Sequence, residues 1–499
     1  MPQLGIYHDD AIYLVGAKSL AEGNGYRIDS APGTPLQTKY PPLWPAMLAA
    51  VWKAAPAYPA NLPWFAMLAW LCLPFAALLS SRLFRDEGFG EREAAGLGAM
   101  VALSPAAVIP ATLLLSELPF LALLLAALLL ARRDRIALAG LAAGLAFLTR
   151  TAALPLIAAV PLWLVLERRW RSGARFAAFM APAVVGWQLW TRAHTGSPGD
   201  AMTLFYTSYL GYWKLDAANG GLAEMVWENT AMLLESLGRL IAYDEEGGFL
   251  AITIQRVLAA ASIAGIVRLF RQGRFRAYSI FAAIYSVQLL LWNYPPSARF
   301  VLPLLPLAVA GAWTEFSRLG RSIADTWRRN RGGDRVAATV LASLLAALAV
   351  FAIRVNYQTL FGLLPAAYAE QRDIAAQVRP ALDWVRAETS VHTGVLSYSD
   401  PLVYLETGRR GYSLRIPPGI QKRAARPEIE RYFRDLPGLA RRHGLQLVVT
   451  APSDYRLDNQ EAAAPVYRQT IERTTDVAFR SPGASVCRFR DAGLGAGLR

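Results

Sequence analysis

The sequence predicts an α-helical polytopic membrane protein that ends in a soluble α/β domain, and three observations carry that reading. The first is charge-free apolar length: residues 62–81, 94–116, 277–298 and 336–353 contain no Asp, Glu, Lys or Arg. About 20 apolar residues cross a bilayer as a helix, because the hydrocarbon core is roughly 30 Å thick and each residue rises about 1.5 Å. One such run suits a buried core helix, but several exclude a soluble enzyme. The second is the placement of positive charge, which alternates between loops. The third is a change of character after residue 355, where a polar tail mixes helical and strand-like patterns.

Taken in order, residues 1–61 are too polar to span, yet hold a helix-like stretch at 11–21 and an aromatic-proline run at 40–44. They form an external loop domain. A membrane domain over 62–355 follows, with ten spanning helices expected at 62–81, 94–113, 118–131, 136–149, 151–166, 176–191, 249–267, 277–294, 300–316 and 336–354. The shorter ones remain credible because flanking Arg and Trp side chains snorkel toward the headgroups. Arg256, inside the 249–267 helix, should face protein or water rather than lipid. An external loop occupies 193–248. In the 356–499 domain, helical patterns at 370–388 (broken or restarted at Pro380) and 427–443 alternate with β-like runs at 391–398, 445–450 and 485–489. Gly493, Gly495 and Gly497 suggest a frayed end.

The chain carries 51 Lys+Arg against 37 Asp+Glu, a net charge of +14. The loops at 82–93, 132–135, 167–175, 268–276 and 318–335 hold 20 arginines and 8 acids. The short loops on the other side hold only Arg150 and Arg299. By the positive-inside rule the arginine-rich set is cytoplasmic, which puts 1–61, 193–248 and the C-terminal domain outside. The charge therefore reports topology and attraction to anionic lipid, and no nucleic-acid partner is expected. Cys72 and Cys487 are too few and too scattered for a disulfide framework or a metal cluster. No zinc spacing, phosphate-cradling Gly loop or Ser/His/Asp set is present. Residues 1–10 lack the basic start and apolar core of a signal peptide.

The first external segment holds the chemistry. It reads His8-Asp9-Asp10-Ala11, then Gly23-Asn24-Gly25-Tyr26, then Lys39-Tyr40-Pro41-Pro42-Leu43-Trp44. Adjacent carboxylates at the mouth of a membrane protein suit a general base, and a nearby lysine suits a departing phosphate. From spacing alone, a solvated loop with Asp10 as helix N-cap fits equally well. His8 reads as an incidental exposed histidine and His194 as part of a plain loop. The Tyr and Trp residues of 206–213 read as an interfacial belt more readily than as a sugar platform.

This segment resembles the first external loop of GT-C glycosyltransferases, a class containing protein O-mannosyltransferases and the lipid A aminoarabinose transferase. Those enzymes open that loop with an acidic pair, followed by a small-residue helix, a Gly-Tyr turn and a Lys- or Tyr-Pro-Pro run. Three further stretches are similar: Ser116-Glu117-Leu118-Pro119-Phe120, Leu148-Thr149-Arg150, and Tyr294-Pro295-Pro296-Ser297-Ala298-Arg299-Phe300-Val301-Leu302-Pro303. The resemblance implies Asp9 as catalytic carboxylate, with Asp10 in place of the more usual Glu. It implies Lys39, Arg150 and Arg299 at the donor phosphate, and Glu117 orienting an acceptor or a phosphate-binding base. Local readings also fit: helix-start acid for Glu117, interfacial snorkelling for the arginines.

What the resemblance implies is transfer of a sugar from a polyprenyl-phosphate donor to an extracytoplasmic acceptor (lipid, glycan or protein) at the bacterial inner membrane, with the C-terminal domain periplasmic. No cofactor is expected, and a divalent-metal requirement stays open. Such enzymes carry a spanning helix before the acidic pair, so an eleventh, upstream helix is expected here. The competing classes are a transporter or flippase of a lipid-linked sugar and a non-catalytic envelope assembly partner. Transporters show paired repeats and mid-membrane ionisable residues, whereas this chain has no repeat and keeps most acids in loops.

Overall fold

The computed structural model describes residues 4–5, 7–195, 201–211, 213–214, 221–245, 247–329, 332–417, 426–452, 454 and 464–490. The three C-terminal glycines and Gly196, Pro198 and Tyr212 lie outside the described residues. The chain forms two compact units. One comprises residues 66–189 and 221–366, the other 1–65, 190–220 and 367–499.

The first unit is a bundle of apolar helices. Among the described residues, four helices are long and apolar enough to cross a membrane: Leu62–Asp86, Phe249–Arg271, Ala298–Arg328 and Asp334–Glu388. The pair Glu91–Leu103 and Pro105–Ala111, bent by 55°, makes a fifth if it is one span. The bend falls at Ser104-Pro105, where the proline disfavours α geometry in the residue before it. The other expected spans are also helical, at Glu117–Arg132, Ile136–Thr149, Leu156–Leu166, Trp170–His194 and Arg276–Leu290, but are shorter or more charged. The chain is a polytopic integral membrane protein.

Four of the turns joining helices on the arginine-rich side share one construction. Each helix closes with a left-handed residue at Gly88 (φ 91°), Asp134 (60°), Arg168 (59°) or Gly273 (82°). The next amide then reaches back five residues: Phe89 to Phe84, Arg135 to Leu130, Arg169 to Leu164, Arg274 to Leu269, at 2.7–3.0 Å. This satisfies carbonyls that the helix end would leave open. Between helices, Gly265 and Gly311 let backbones meet. A Cβ on Gly265 would lie 1.9 Å from the Gly311 carbonyl, so small residues set this helix–helix contact. Arg256 is half exposed and reaches Glu235 at 3.9 Å, while Arg239 holds the same carboxylate at 2.5 Å.

The second unit joins both sequence ends. Helix Asp9–Ala21 is buried along most of its length, from Asp10 through Ala17, as expected of a helix apolar on every side. It begins two residues earlier than the sequence suggested, with His8 and not Asp10 at the N-cap, so both carboxylates sit in the first turn. There the macrodipole favours negative charge. Helix Leu43–Ala54 follows the proline pair. The C-terminal part is a mixed five-stranded sheet ordered β2-β1-β3-β5-β4, where β1 is Gly394–Ser397, β2 Gly411–Ser413, β3 Leu445–Thr450, β4 Thr475–Arg480 and β5 Ser485–Phe489. The first three are parallel, and β5 is antiparallel to both β3 and β4. Val395, Leu447, Val449 and Val486 form one core with Ala381 and Val385 of helix Leu364–Glu388. That helix runs through Pro380 without a break, contrary to the sequence reading. Strands β2 and β4 and the helices Asp400–Thr407 and Ala464–Thr474 were not legible beforehand.

Candidate functional site

Two clusters assemble from the singled-out residues, one in each unit. In the second unit, the Tyr40 hydroxyl donates to Asp9 Oδ1 at 2.6 Å. Tyr40 is placed from three sides. The Gln37 side chain accepts the amides of Lys39 (2.9 Å) and Tyr40 (3.2 Å). The Tyr26 hydroxyl donates to the Tyr40 carbonyl at 2.9 Å, and two prolines stiffen the exit. Asp9 keeps partial solvent exposure. Asp10 is fully buried instead, its two carboxylate oxygens accepting the amides of Gly5 (3.0 Å) and Ala11 (2.8 Å). The pair is therefore asymmetric: Asp10 ties backbone, and Asp9 faces a phenol.

Lys39 is buried at 4% exposure. Its ammonium lies 3.8 Å from the centroid of the Phe205 ring, 5.0 Å from Tyr40 and 5.2 Å from Tyr209, an aromatic cage that attracts a cation. Nζ donates to the Phe205 carbonyl at 2.7 Å, and Thr38 donates to the Thr207 carbonyl at 2.6 Å. Both carbonyls belong to the last turn of helix Ala201–Thr207, where backbone dipoles favour positive charge. Burial pushes the Lys39 amine down to about 8, against the opposing pull of Asp9.

Beside this lies a polar triad drawn from three segments. Tyr206 Oη donates to Asp400 Oδ1 at 2.8 Å and lies 2.9 Å from His8 Nε2, which is itself 3.3 Å from Asp400 Oδ1. The bonds close when the imidazole carries its proton on Nε2. His8, read as exposed, is 3% exposed, and Tyr206, read as a belt residue, is 4% exposed. Burial holds the His8 pKa below its ordinary value, partly offset by the Asp400 hydrogen bond. His194 sits in the last turn of helix Trp170–His194, not in a loop, with its ring 4.0 Å from Trp190.

In the first unit, three motif fragments far apart in sequence meet at Glu117, which is 1% exposed. Arg150 Nη1 reaches Glu117 Oε1 at 3.0 Å and Ser116 Oγ at 3.1 Å. Arg299 Nε donates to the same oxygen. Both guanidiniums lie 5.7 Å from the Phe300 ring centroid. Glu117 starts helix Glu117–Arg132, Arg150 ends helix Ile136–Thr149, and Arg299 lies in the short helix Ala298–Val301. Two arginines on one carboxylate leave an excess of one positive charge, with planar donor forks suited to an oxyanion. Sequence reasoning missed Tyr40, Tyr206, Phe205 and Asp400 as site members. Tyr40 stood in a quoted motif and Tyr206 in the aromatic stretch read as a belt, but Phe205 and Asp400 carry no local signal. Among the described residues, no three His, Cys, Asp or Glu side chains converge as metal ligands.

No protein-family model matches the sequence, and no curated protein sequence is detectably similar to it. Solved structures are. ArnT from Cupriavidus metallidurans bound to undecaprenyl phosphate aligns over 98% of this chain and 95% of its own, with a TM-score of 0.54 at 13% identity. The apo state of that protein aligns over 96% and 93%, with a TM-score of 0.50 at 12% identity. The apo oligosaccharyltransferase of Archaeoglobus fulgidus aligns over 92% of this chain and 67% of its own, with a TM-score of 0.54 at 14% identity. The chain has a GT-C-type fold. At such low identity the likeness establishes the fold alone.

Proposed function

We propose that this chain is a GT-C glycosyltransferase that moves a sugar from a polyprenyl-phosphate donor to an extracytoplasmic acceptor. The observation that carries this reading is the Asp9–Tyr40–Lys39 arrangement: a partly exposed carboxylate held by a phenol at 2.6 Å, beside a buried ammonium. Among the described residues, the one hydrogen bond of that ammonium goes to a backbone carbonyl. A buried cation without a bonded carboxylate is poised to receive an anion, because an anionic partner offsets its desolvation. Asp9 removes the acceptor's proton as the glycosidic bond to phosphate breaks. Lys39 stabilises the phosphate that departs with the bonding electrons. Arg150 and Arg299, held by Glu117, serve the donor phosphate as well, and Asp10 positions Asp9 through the helix start.

The shorter helices cross the membrane too in this reading, for ten spans. The arginine-rich turns face the cytoplasm of a bacterial inner membrane, and the C-terminal domain is periplasmic. ArnT bound to undecaprenyl phosphate supports the lipid class of the donor. The test is mass spectrometry of envelope lipids and glycans from cells lacking the gene, complemented with wild type or Asp9→Asn. Loss of one sugar that only the wild type restores is expected. An unchanged profile, or full restoration by Asp9→Asn, overturns the proposal.

A further inference from the structure

The arginine-rich side of the helical unit contains a cavity of about 280 Å³ that the transfer reaction does not use. Its charged lining is Arg132, Arg169 and Arg276 with Glu87 and Glu167. Both carboxylates are already engaged. Glu87 is 7% exposed, accepts the Phe275 amide at 2.7 Å and pairs with Arg132 at 3.3 Å. Glu167 pairs with Arg276 at 2.6 Å. Arg169 pairs outward with Asp134, which is 71% exposed. The lining holds three arginines and two carboxylates, and with Asp134 on Arg169 each guanidinium has one acidic partner, so what the cavity offers an anion is guanidinium donors of which only part of the five are used.

The rest of the wall is apolar, from Leu83, Leu128 and Trp163, which sit near the ends of their helices. Among the described residues, three of the five non-glycine residues with positive φ stand in the turns around it: Asp134, Arg168 and Phe275 (53°). Such backbone persists only where its surroundings hold it, and it marks sites more often than chance. Leu166 and Trp170, flanking the Glu167–Arg169 turn, are 59% and 62% exposed, as suits the depth where headgroups meet acyl chains.

We propose that this cavity binds the phosphate of an anionic phospholipid headgroup. Bidentate guanidinium donors recognise phosphate, and basic pockets between helices on the cytoplasmic side take anionic headgroups. Its volume of about 280 Å³ lies just below the roughly 300–1,000 Å³ range of small-molecule sites, so it suits a headgroup alone, with the acyl chains along the exposed apolar helix faces. The inference is independent of the transferase reading, because none of its residues belongs to either cluster above.

The test is native mass spectrometry and thermal melting of the full-length protein in detergent. Probes are phosphatidylglycerol, phosphatidylcholine and sodium phosphate. Phosphatidylglycerol is expected to bind and raise the melting temperature, and phosphatidylcholine to do neither. Removing one arginine should weaken binding about fivefold, and the Arg169→Gln/Arg276→Gln double variant roughly 25-fold. Glu167→Gln, which frees Arg276 without removing charge donors, should tighten it, and covers the case in which the double variant fails to fold. If millimolar phosphate alone displaces phosphatidylglycerol and gives the same stabilisation, the phosphate site stands and the lipid source is overturned. Equal response to phosphatidylcholine, or binding unchanged in all three forms, overturns the site itself.

Discussion

Lys39 offers the sharpest test, because its burial makes opposite predictions for stability and for activity. The amine falls from its ordinary 10.5 to about 8 in the fold. At about 1.36 kcal/mol per pH unit, this corresponds to roughly 3 kcal/mol by which the folded state disfavours the ammonium. Between pH 8 and about 10.4 the unfolded chain binds more protons at this site than the native one, so stability rises with pH across that window. The strain is present in full below about pH 8 and relieved above about 10.4. Melting wild type and Lys39→Met in detergent from about pH 7 to 10.5 isolates it: their difference in stability should change by about 3 kcal/mol in favour of wild type as pH rises. Activity should move the other way. If the ammonium stabilises the departing phosphate, kcat/KM of the free enzyme falls tenfold per unit above about pH 8. Lys39→Arg, charged throughout, should remove that alkaline limb even at lower absolute activity. A stability difference that ignores pH would refute the buried-cation assignment. A kcat/KM profile flat to pH 10 in the wild type, or an identical limb in Lys39→Arg, would refute its role at the phosphate.

Three more outcomes follow from the same geometry. Tyr40→Phe removes the 2.6 Å bond to Asp9; at about 1.5–3 kcal/mol for a bond to a charged group, thermal unfolding should show up to that loss, and transfer should slow because Asp9 loses its anchor. Glu117→Gln strands Arg150 and Arg299 (17% and 15% exposed) without their shared carboxylate, and should cost about 3–5 kcal/mol in thermal unfolding. Asp400→Asn weakens the His8–Tyr206–Asp400 triad. It should cost about 1–3 kcal/mol, visible as faster hydrogen exchange at the N-terminal turn of helix Asp9–Ala21, while helix Phe249–Arg271 keeps its protection.

The outcome at individual residues shows how legibility depends on range. The segments expected at 136–149, 445–450 and 485–489 coincide with observed elements, because apolar periodicity and β-branched runs are local signals. Strand β2 is three residues long, too short to show a period, and its register comes from pairing with β1. Pro380 misled the reading because a proline inside a helix removes one hydrogen bond, a loss that the packing of Ala381 and Val385 into the sheet core offsets. His8 looked incidental because its partners lie 198 and 392 positions away.

By itself, the sequence determined the membrane class, the segregation of 20 arginines onto one set of loops, most of the long apolar helices and the motifs holding Asp9, Lys39, Glu117, Arg150 and Arg299. These follow from hydrophobicity, period and charge, which act within a few residues or against the bilayer. Only the tertiary structure decided which of the two carboxylates stays available, that a cage of Phe205, Tyr40 and Tyr209 surrounds Lys39, and that Glu117 gathers two arginines onto one oxygen. Desolvation and hydrogen-bond geometry depend on what the rest of the chain brings alongside, and no local pattern encodes that.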